Sequence, residues 1–412
     1  MPTTYALDDI LTAAAWRRLA GPAARAAEAV VRLDERLART EPVLADGVRS
    51  RAHFVDAQAA LGLEGQLVLM EDLVLHDAAM PVRRPTPELA RATHILATRR
   101  RVAGSRPDWS FTPEGWSALF GAAGRECDEL VTPHGTSLVE ASSHSAESDG
   151  QPWIMPRFGD DLFAPDDDVE AASSGDDDDL WDEDEGPDPD FADIDRLLAR
   201  SRRTLAEYND LTTAEGRATL RVHDPQYREA ERLAAWRQIV VEDARELPAL
   251  LAAAIALDAW FALDPSERHP FLGPLLAGAL LRRRATSRHH LPSLALGLQE
   301  SRTPWLKVTS AAERIGGLLR AFEAAAHAAG RDLDRLTLAR ELMLRRVRGK
   351  RGTSRLPQLV DVLVSSPLVT IQSAAKRLGT SPQAIEGMLA DLGPACPREL
   401  TGRKRYRAWG IV

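Results

Sequence analysis

The chain has 412 residues, 44% of them hydrophobic, and carries 61 Asp and Glu against 52 Lys and Arg for a formal net charge of -9. That length and apolar content give room for two or three domains and a sizeable core, and the only cysteines, Cys127 and Cys396, are too far apart in sequence and too isolated to suggest a disulfide framework or a zinc finger. The N-terminus lacks a basic stretch followed by an apolar one, and no apolar run reaches membrane-spanning length, so a soluble, cytoplasmic protein with no membrane contact is expected.

In chain order, three-to-four-residue apolar periodicity predicts helices over Ile10 to Leu19 and Ala23 to Leu37. One or two buried helices follow over Phe54 to His76, and another over Pro87 to Arg101. The pattern then stops. Between Asp160 and Asp195 stand eighteen Asp and Glu and no Lys or Arg, and without them the chain would carry about +9. Such a stretch repels itself and buries too little apolar area to fold, so 141–190 reads as an acidic disordered linker. It is a solvated spacer, a competitor with DNA for the basic tail, or a contact segment built on Phe163, Trp181 and Phe191. The acids lack the alternating spacing of a calcium loop. Helical periodicity resumes at Ile194 to Leu220, Tyr227 to Val241, Arg245 to Phe261, Pro274 to Arg284 and Val308 to Ala329, and ends in a basic helix over Leu333 to Val347.

The last sixty or so residues carry the clearest signal. Leu359, Val360, Leu363 and Val364 predict a helix over Leu356 to Ser365, closed by Ser366-Pro367. Thr370 to Leu389 then reads as helix, tight turn, helix: Ala375 is the small residue two crossing helices need, Gly379 the left-handed turn residue and Ile385 the buried aliphatic. Ser381 can cap the second helix, with Pro382 at its first position. Downstream, Arg398 to Thr401 and Tyr406 to Trp409 read as two strands joined by a cationic tip, Gly402 to Arg405. The whole predicts a winged helix-turn-helix.

From Arg331 to Val412 there are sixteen Lys and Arg against seven Asp and Glu, which suits salt-dependent phosphate contact. Phosphate-contact candidates are Lys350, Arg351, Arg355, Arg403, Lys404, Arg405 and Arg407. Gln383 could pair bidentately with adenine, with Thr380, Ser381 and Glu386 close enough to assist. Glu386 also reads as a solvated face residue.

The order of the pieces brings a family into view. His269-Pro270-Phe271, followed by Leu275, Leu276, Leu280 and Leu281, resembles the active-site helix pair of Fic proteins. In that family a Gly-Asn-Gly-Arg loop follows and binds ATP phosphates, while the His acts as base in transferring AMP to a hydroxyl. Here that loop is missing and Gly273 runs straight into the next helix. Leu63-Glu64-Gly65 resembles the family's inhibitory Ile-Glu-Gly, with Ala60 where a Ser or Thr is expected. The stretch Arg351 to Pro357, with the helix-turn-helix and Thr401 to Lys404 behind it, resembles the winged tail of many Fic proteins. The combined pattern is similar to a bacterial family of Fic-like helix-turn-helix proteins, often plasmid-borne, with Leu63 to Asp77 as its hallmark. The likeness implies a degenerate body without catalysis, because phosphoryl transfer needs positioned donors and a metal–phosphate clamp.

No dinucleotide or phosphate loop, zincin motif or nucleophile elbow is present. His289-His290 has no third ligand at a recognised spacing, Asp258 being the one carboxylate to consider, and Arg282, Arg283, Arg284 and Arg288 read as a solvated face or partner contact. The expectation is therefore a mainly α protein with no metal or cofactor and no catalytic residue. Its parts are a first half of the Fic-like body over 1–140, the acidic linker over 141–190, a second half over 191–348 and the winged helix-turn-helix over 349–412. Its partners would be double-stranded DNA and a second copy of the chain, with an unknown protein or small-molecule effector acting on the body. A divergent AMP transferase with a DNA-binding tail, or a component of a toxin–antitoxin or plasmid-maintenance pair, remains open.

Overall fold

The computed structural model describes residues 5–80, 86–131, 227–301, 310–348, 355–401 and 407–411. The acidic linker expected over 141–190 and the helix expected over 194–220 lie outside these residues. So do Lys350, Arg351, Arg403, Lys404 and Arg405.

The described chain is mostly helical. Before the undescribed stretch come α1 (Leu7–Ile10), α2 (Ala13–Arg39), α3 (Pro42–Leu63), α4 (Met70–Asp77), α5 (Pro87–Gly104), α6 (Pro113–Phe120) and α7 (Ala122–Val131). After it come α8 (Glu229–Gln238), α9 (Ala249–Leu263), α10 (Leu272–Arg283), α11 (Leu294–Ser301) and α12 (Ala311–Val347). Two pairs of expected helices are single ones. Pro22 lies inside α2, where its missing N–H ordinarily weakens a helix. Leu19, Ala26, Val30 and Leu33 nevertheless hold one continuous buried stripe across it. The segments expected over 308–329 and 333–347 fuse into α12, since Gly330 is the only weak helix former between them and buried Leu333 and Leu336 continue the apolar face.

Both halves share one core. Trp116 and Phe120 of α6 stack with ring centroids 4.9 Å apart. Trp236 of α8 lies 6.1 Å from Trp116 and meets Trp260 of α9 edge-on at 5.3 Å. Each such aromatic removes a large apolar area from water, and edge-on pairs add about 0.5–1.5 kcal/mol beyond that. Arg237 closes the seam on Asp128 at 2.6 Å.

The tail comprises α13 (Leu356–Ser365), β1 (Val369–Thr370), α14 (Ile371–Leu378), α15 (Pro382–Leu392), β2 (Arg398–Glu399) and β3 (Ala408–Gly410). The strands pair antiparallel in the order β1-β3-β2, with Trp409 opposite both Val369 and Glu399. β2 and the central β3 fall where a hairpin is expected, though shorter. β1 is a two-residue strand, too short to leave a periodic signal.

The tail is docked on the body through α3 and α12. A Cβ on Gly47 would stand 2.6 Å from the Val364 carbonyl oxygen, so only glycine permits α3 to approach α13 this closely. One turn on, Arg51 is 3% exposed and donates to the carbonyls of Leu363, Val364 and Ser366 at 3.3, 2.6 and 2.8 Å, and to Ile411 at 2.7 Å. Leu363 and Val364 are among the last carbonyls of α13, which have no partner within the helix and sit at its partially negative end. Burial, reinforced by Arg335, pushes the Arg51 guanidinium down to about 9. Arg340 adds an outer brace, reaching Asp361 and Glu41 at 2.9 Å each.

Candidate nucleic-acid interface

The two helices of the motif are each bounded by local chemistry. Thr370 and Ser373 form a reciprocal capping box at the start of α14, with Ser373 N–H donating to Thr370 Oγ1 at 3.0 Å and Thr370 N–H to Ser373 Oγ at 2.9 Å. The helix ends at Gly379, whose φ of 57° is left-handed. There Thr380 N–H bonds back to Ala375 O at 3.1 Å and Gly379 N–H to Lys376 O at 3.4 Å. That pair of hydrogen bonds is a Schellman stop, and it turns the chain within two residues. Ser381 Oγ then accepts from Ala384 N–H at 3.2 Å, and Pro382 opens α15.

Ile385, Leu389 and Leu392 pin α15 to the tail's core. The opposite side is open: Gln383, Ala384, Glu386, Gly387 and Ala390 are all exposed. Docking on the body therefore leaves the second helix of the motif accessible along its length. Of the base-reading candidates, Ser381, Gln383 and Glu386 are exposed and Thr380 is half-buried. Ser381 spends a lone pair on the cap.

The described phosphate candidates have partners of their own. Arg355 donates to Gly379 O at 3.1 Å and so braces the turn of the motif. Arg407 binds Glu399 at 2.7 Å and lies over the Trp409 ring at 4.9 Å, a rigid placement at the foot of the hairpin. The hydrogen bond it donates to Glu399 raises its already high pKa. Arg377, not singled out by sequence, donates to Ser366 Oγ at 2.7 Å and ties α14 to the end of α13. Arg51 was also missed. Its signal was present, since a cation stands in the apolar register of α3 among Leu44, Val48 and Phe54, all buried.

In the body, Glu64, His269 and Phe271, three of the residues singled out for their resemblance to Fic proteins, meet one face of α5. Glu64 pairs with Arg91 at 2.6 Å, and burial raises the Glu64 carboxyl despite that partner. Three residues along α5, His94 lies 5.9 Å from the His269 ring and 5.9 Å from that of Phe271. Gly65 takes a φ of 77° just beyond α3. Pro270 and Phe271 lead directly into α10, where Gly273 packs against the Trp260 ring so closely that no Cβ fits.

The remaining polar candidates have structural partners. His290 Nδ1 meets Asp34 at 2.9 Å, whereas Asp258 takes the Tyr5 hydroxyl at 2.9 Å and Arg314 Nε at 2.9 Å. No group of three metal-ligating side chains occurs among the described residues. Of the arginines expected to form a solvated face or a partner contact, Arg288 is exposed and two brace the body: Arg282 donates to Val102 O and Ser105 O, and Arg284 to Leu247 O and Ala244 O. Arg283 covers the Phe111 ring at 5.2 Å. Their register on α10 and the following turn points them at carbonyls that helices leave unsatisfied. No described helix is long and apolar enough to cross a membrane.

These features define a helix-turn-helix protein. Residues 356–412 match the family described as an HTH DNA binding domain, and residues 221–348 match a protein family of unknown function, DUF1612. The chain is 36% identical to the uncharacterized protein y4cF of Sinorhizobium fredii (strain NBRC 101917 / NGR234), over 99% of its own length and 100% of that relative. It belongs to the same family as that protein, and in this chain the DUF1612 region precedes the C-terminal DNA-binding domain.

Proposed function

We propose that the protein is a sequence-specific regulator of transcription that inserts α15 into the major groove of double-stranded DNA. The observation that carries this reading is the exposed face of α15, in a tail capped at Thr370, Gly379 and Ser381 and clamped by Arg51. Gln383 is placed one residue past the helix start, where side chains of a recognition helix reach base edges, and supplies the paired donor and acceptor that adenine asks for. The β2–β3 hairpin acts as a wing, its tip of Arg403, Lys404 and Arg405 holding phosphates.

The body is read as a degenerate Fic-like scaffold for dimerisation or signal input. Glu64 and His269 both meet α5, which supports the likeness, and the close packing of Gly273 on the Trp260 ring supports a body without the family's phosphate-binding loop. Leu67 and Leu69 stand 86% and 65% exposed between α3 and α4, which supports contact with a second copy. Two copies would read two half-sites and multiply the affinity of one small domain. A cytoplasmic location fits this role.

The test is genome-wide recovery of DNA bound by the intact protein, beside a variant carrying Arg403→Ala, Lys404→Ala and Arg405→Ala. Discrete recovered sites sharing one sequence, weakened evenly in the variant, are expected. Recovery of no enriched DNA would reject the reading.

A further inference from the structure

The body contains a cavity of about 490 Å³, within the range that small-molecule sites occupy. It lies between α2, α3, α5 and α12 and is closed by the connection from α10 to α11. One wall is apolar, built by Val30, Val48, Leu291, Phe322 and alanines of α12. The other is cationic: Arg49, Arg99, Arg106, Arg282 and Arg288 converge on it from separate elements. His53, His289 and His290 stand among them, and no Asp or Glu is in the lining.

The carboxylates nearest this wall lie behind it and do not neutralise all of it. Asp56 holds Arg99 at 2.5 Å, Asp46 holds Arg49 at 2.8 Å and Asp34 holds His290. Among the described residues Arg282 and Arg288 have no carboxylate partner. Arg106 has Asp108 at 3.8 Å only. Two polar atoms on the inner wall lack any hydrogen-bond partner, His53 Nδ1 and Arg99 Nε, although their residues are 4% and 1% exposed. Buried polar atoms are nearly always satisfied; Arg99 Nε is a donor in every state and His53 Nδ1 is one in one tautomer of the neutral ring, so the two orphans in this cationic wall mark a place for an acceptor that the chain does not supply. Guanidinium groups arriving from several directions suit an anion with several oxygens, and the apolar wall suits an organic body attached to it.

We propose that this cavity is the receptor site for a small organic phosphate and that α3 relays its occupancy to the DNA-binding unit. The relay rests on the regulator reading above. Arg49, Ala52 and His53 of α3 line the cavity. Gly47, Ser50 and Arg51 of the same helix hold α13, Ser50 Oγ donating to Ser365 O at 2.9 Å. A shift of α3 by a fraction of a turn would thus change both sites together, since packed elements move as units. Burial, with Arg99, Arg100 and Arg282, holds the His53 imidazole well below its ordinary pKa, and a bound phosphate would oppose that push.

Calorimetric titration of the full chain with ATP, glucose 6-phosphate and inorganic pyrophosphate, and with citrate as a carboxylate control, tests the site. An organic phosphate is expected to bind with a Kd below about 100 µM. The exposed pair Arg106→Ala and Arg288→Ala should weaken it about tenfold or more, with the ligand-free melting temperature unchanged. Absence of binding by ATP and glucose 6-phosphate up to about 1 mM, equal binding in the double variant, or binding of citrate alone overturns the site. In the second arm, the bound phosphate should shift affinity for a recovered DNA site at least threefold, and Arg51→Met should abolish the shift while the phosphate still binds. An unchanged DNA affinity overturns the relay. If the chain binds no DNA, the regulator reading and the relay fall together, and calorimetry still decides the cavity.

Discussion

Arg51 Nε donates to the carbonyl of Ile411 at 2.7 Å, joining the third helix of the chain to its last described residue across 360 positions of sequence. The same guanidinium holds the end of α13, so one buried cation orients the DNA-binding unit on the body. Arg51→Met, which keeps the length and removes the donors, leaves several buried carbonyls without partners. A loss on the order of 3 kcal/mol is expected, because bonds to charged groups contribute about 1.5–3 kcal/mol each and orphaned acceptors add to the cost. Thermal melting and limited proteolysis between α12 and α13 check it, with faster cleavage in the variant as the expected result.

Gly47→Ala probes the same seam sterically. Its added carbon would stand 2.6 Å from Val364 O, a backbone atom that cannot swing aside. Overpacking of this kind costs about 1–3 kcal/mol. The melting temperature should drop by several degrees, while Gly387→Ala on the open face of α15, with nothing within 4 Å of the added carbon, should leave it unchanged or slightly raised.

On DNA, Gln383→Ala and the wing variant should fail in different ways. Loss of a bidentate base contact costs about 1–3 kcal/mol and relaxes the preference at one position. The triple alanine at Arg403, Lys404 and Arg405 should weaken all sequences alike and reduce the salt slope by up to about 3. Anisotropy titrations at several salt concentrations separate the two. Glu386→Ala is expected to preserve or tighten binding, since a carboxylate near DNA repels phosphates.

The protein should lose stability as pH falls from 7 towards 5. Burial lowers His290 despite Asp34 beside it, Arg99 and Arg49 acting in the same direction as burial, and His53 is lowered well below its usual value. Both rings are neutral in the fold and protonate first in the unfolded chain near pH 6.5, so the unfolded state takes up protons over this window. Asp34 extends the loss to more acidic pH. Burial would raise its carboxyl, but the hydrogen bonds from His290 and the Arg288 and His289 amides prevail and lower it. Urea midpoints at pH 7.5 and 5.5 measure the effect, and His53→Phe should reduce the difference.

What could be read along the chain was whatever local chemistry decides. The helix over Leu356 to Ser365, the left-handed Gly379, the Ser381 cap and the burial of Ile385 all follow from residues within a turn or two of one another, and all stand where spacing placed them. Helix identity in the body was legible for the same reason, while its breaks were not: Pro22 sits inside α2 because packing against α12 outweighs one missing hydrogen bond. Only tertiary structure assigned the cations. Arg99 and Arg282 differ little in sequence from surface arginines, yet each is drawn to carbonyls or carboxylates brought from more than forty positions away. A charge's role depends on what faces it across the fold, and that distance is one that periodicity along a helix does not record.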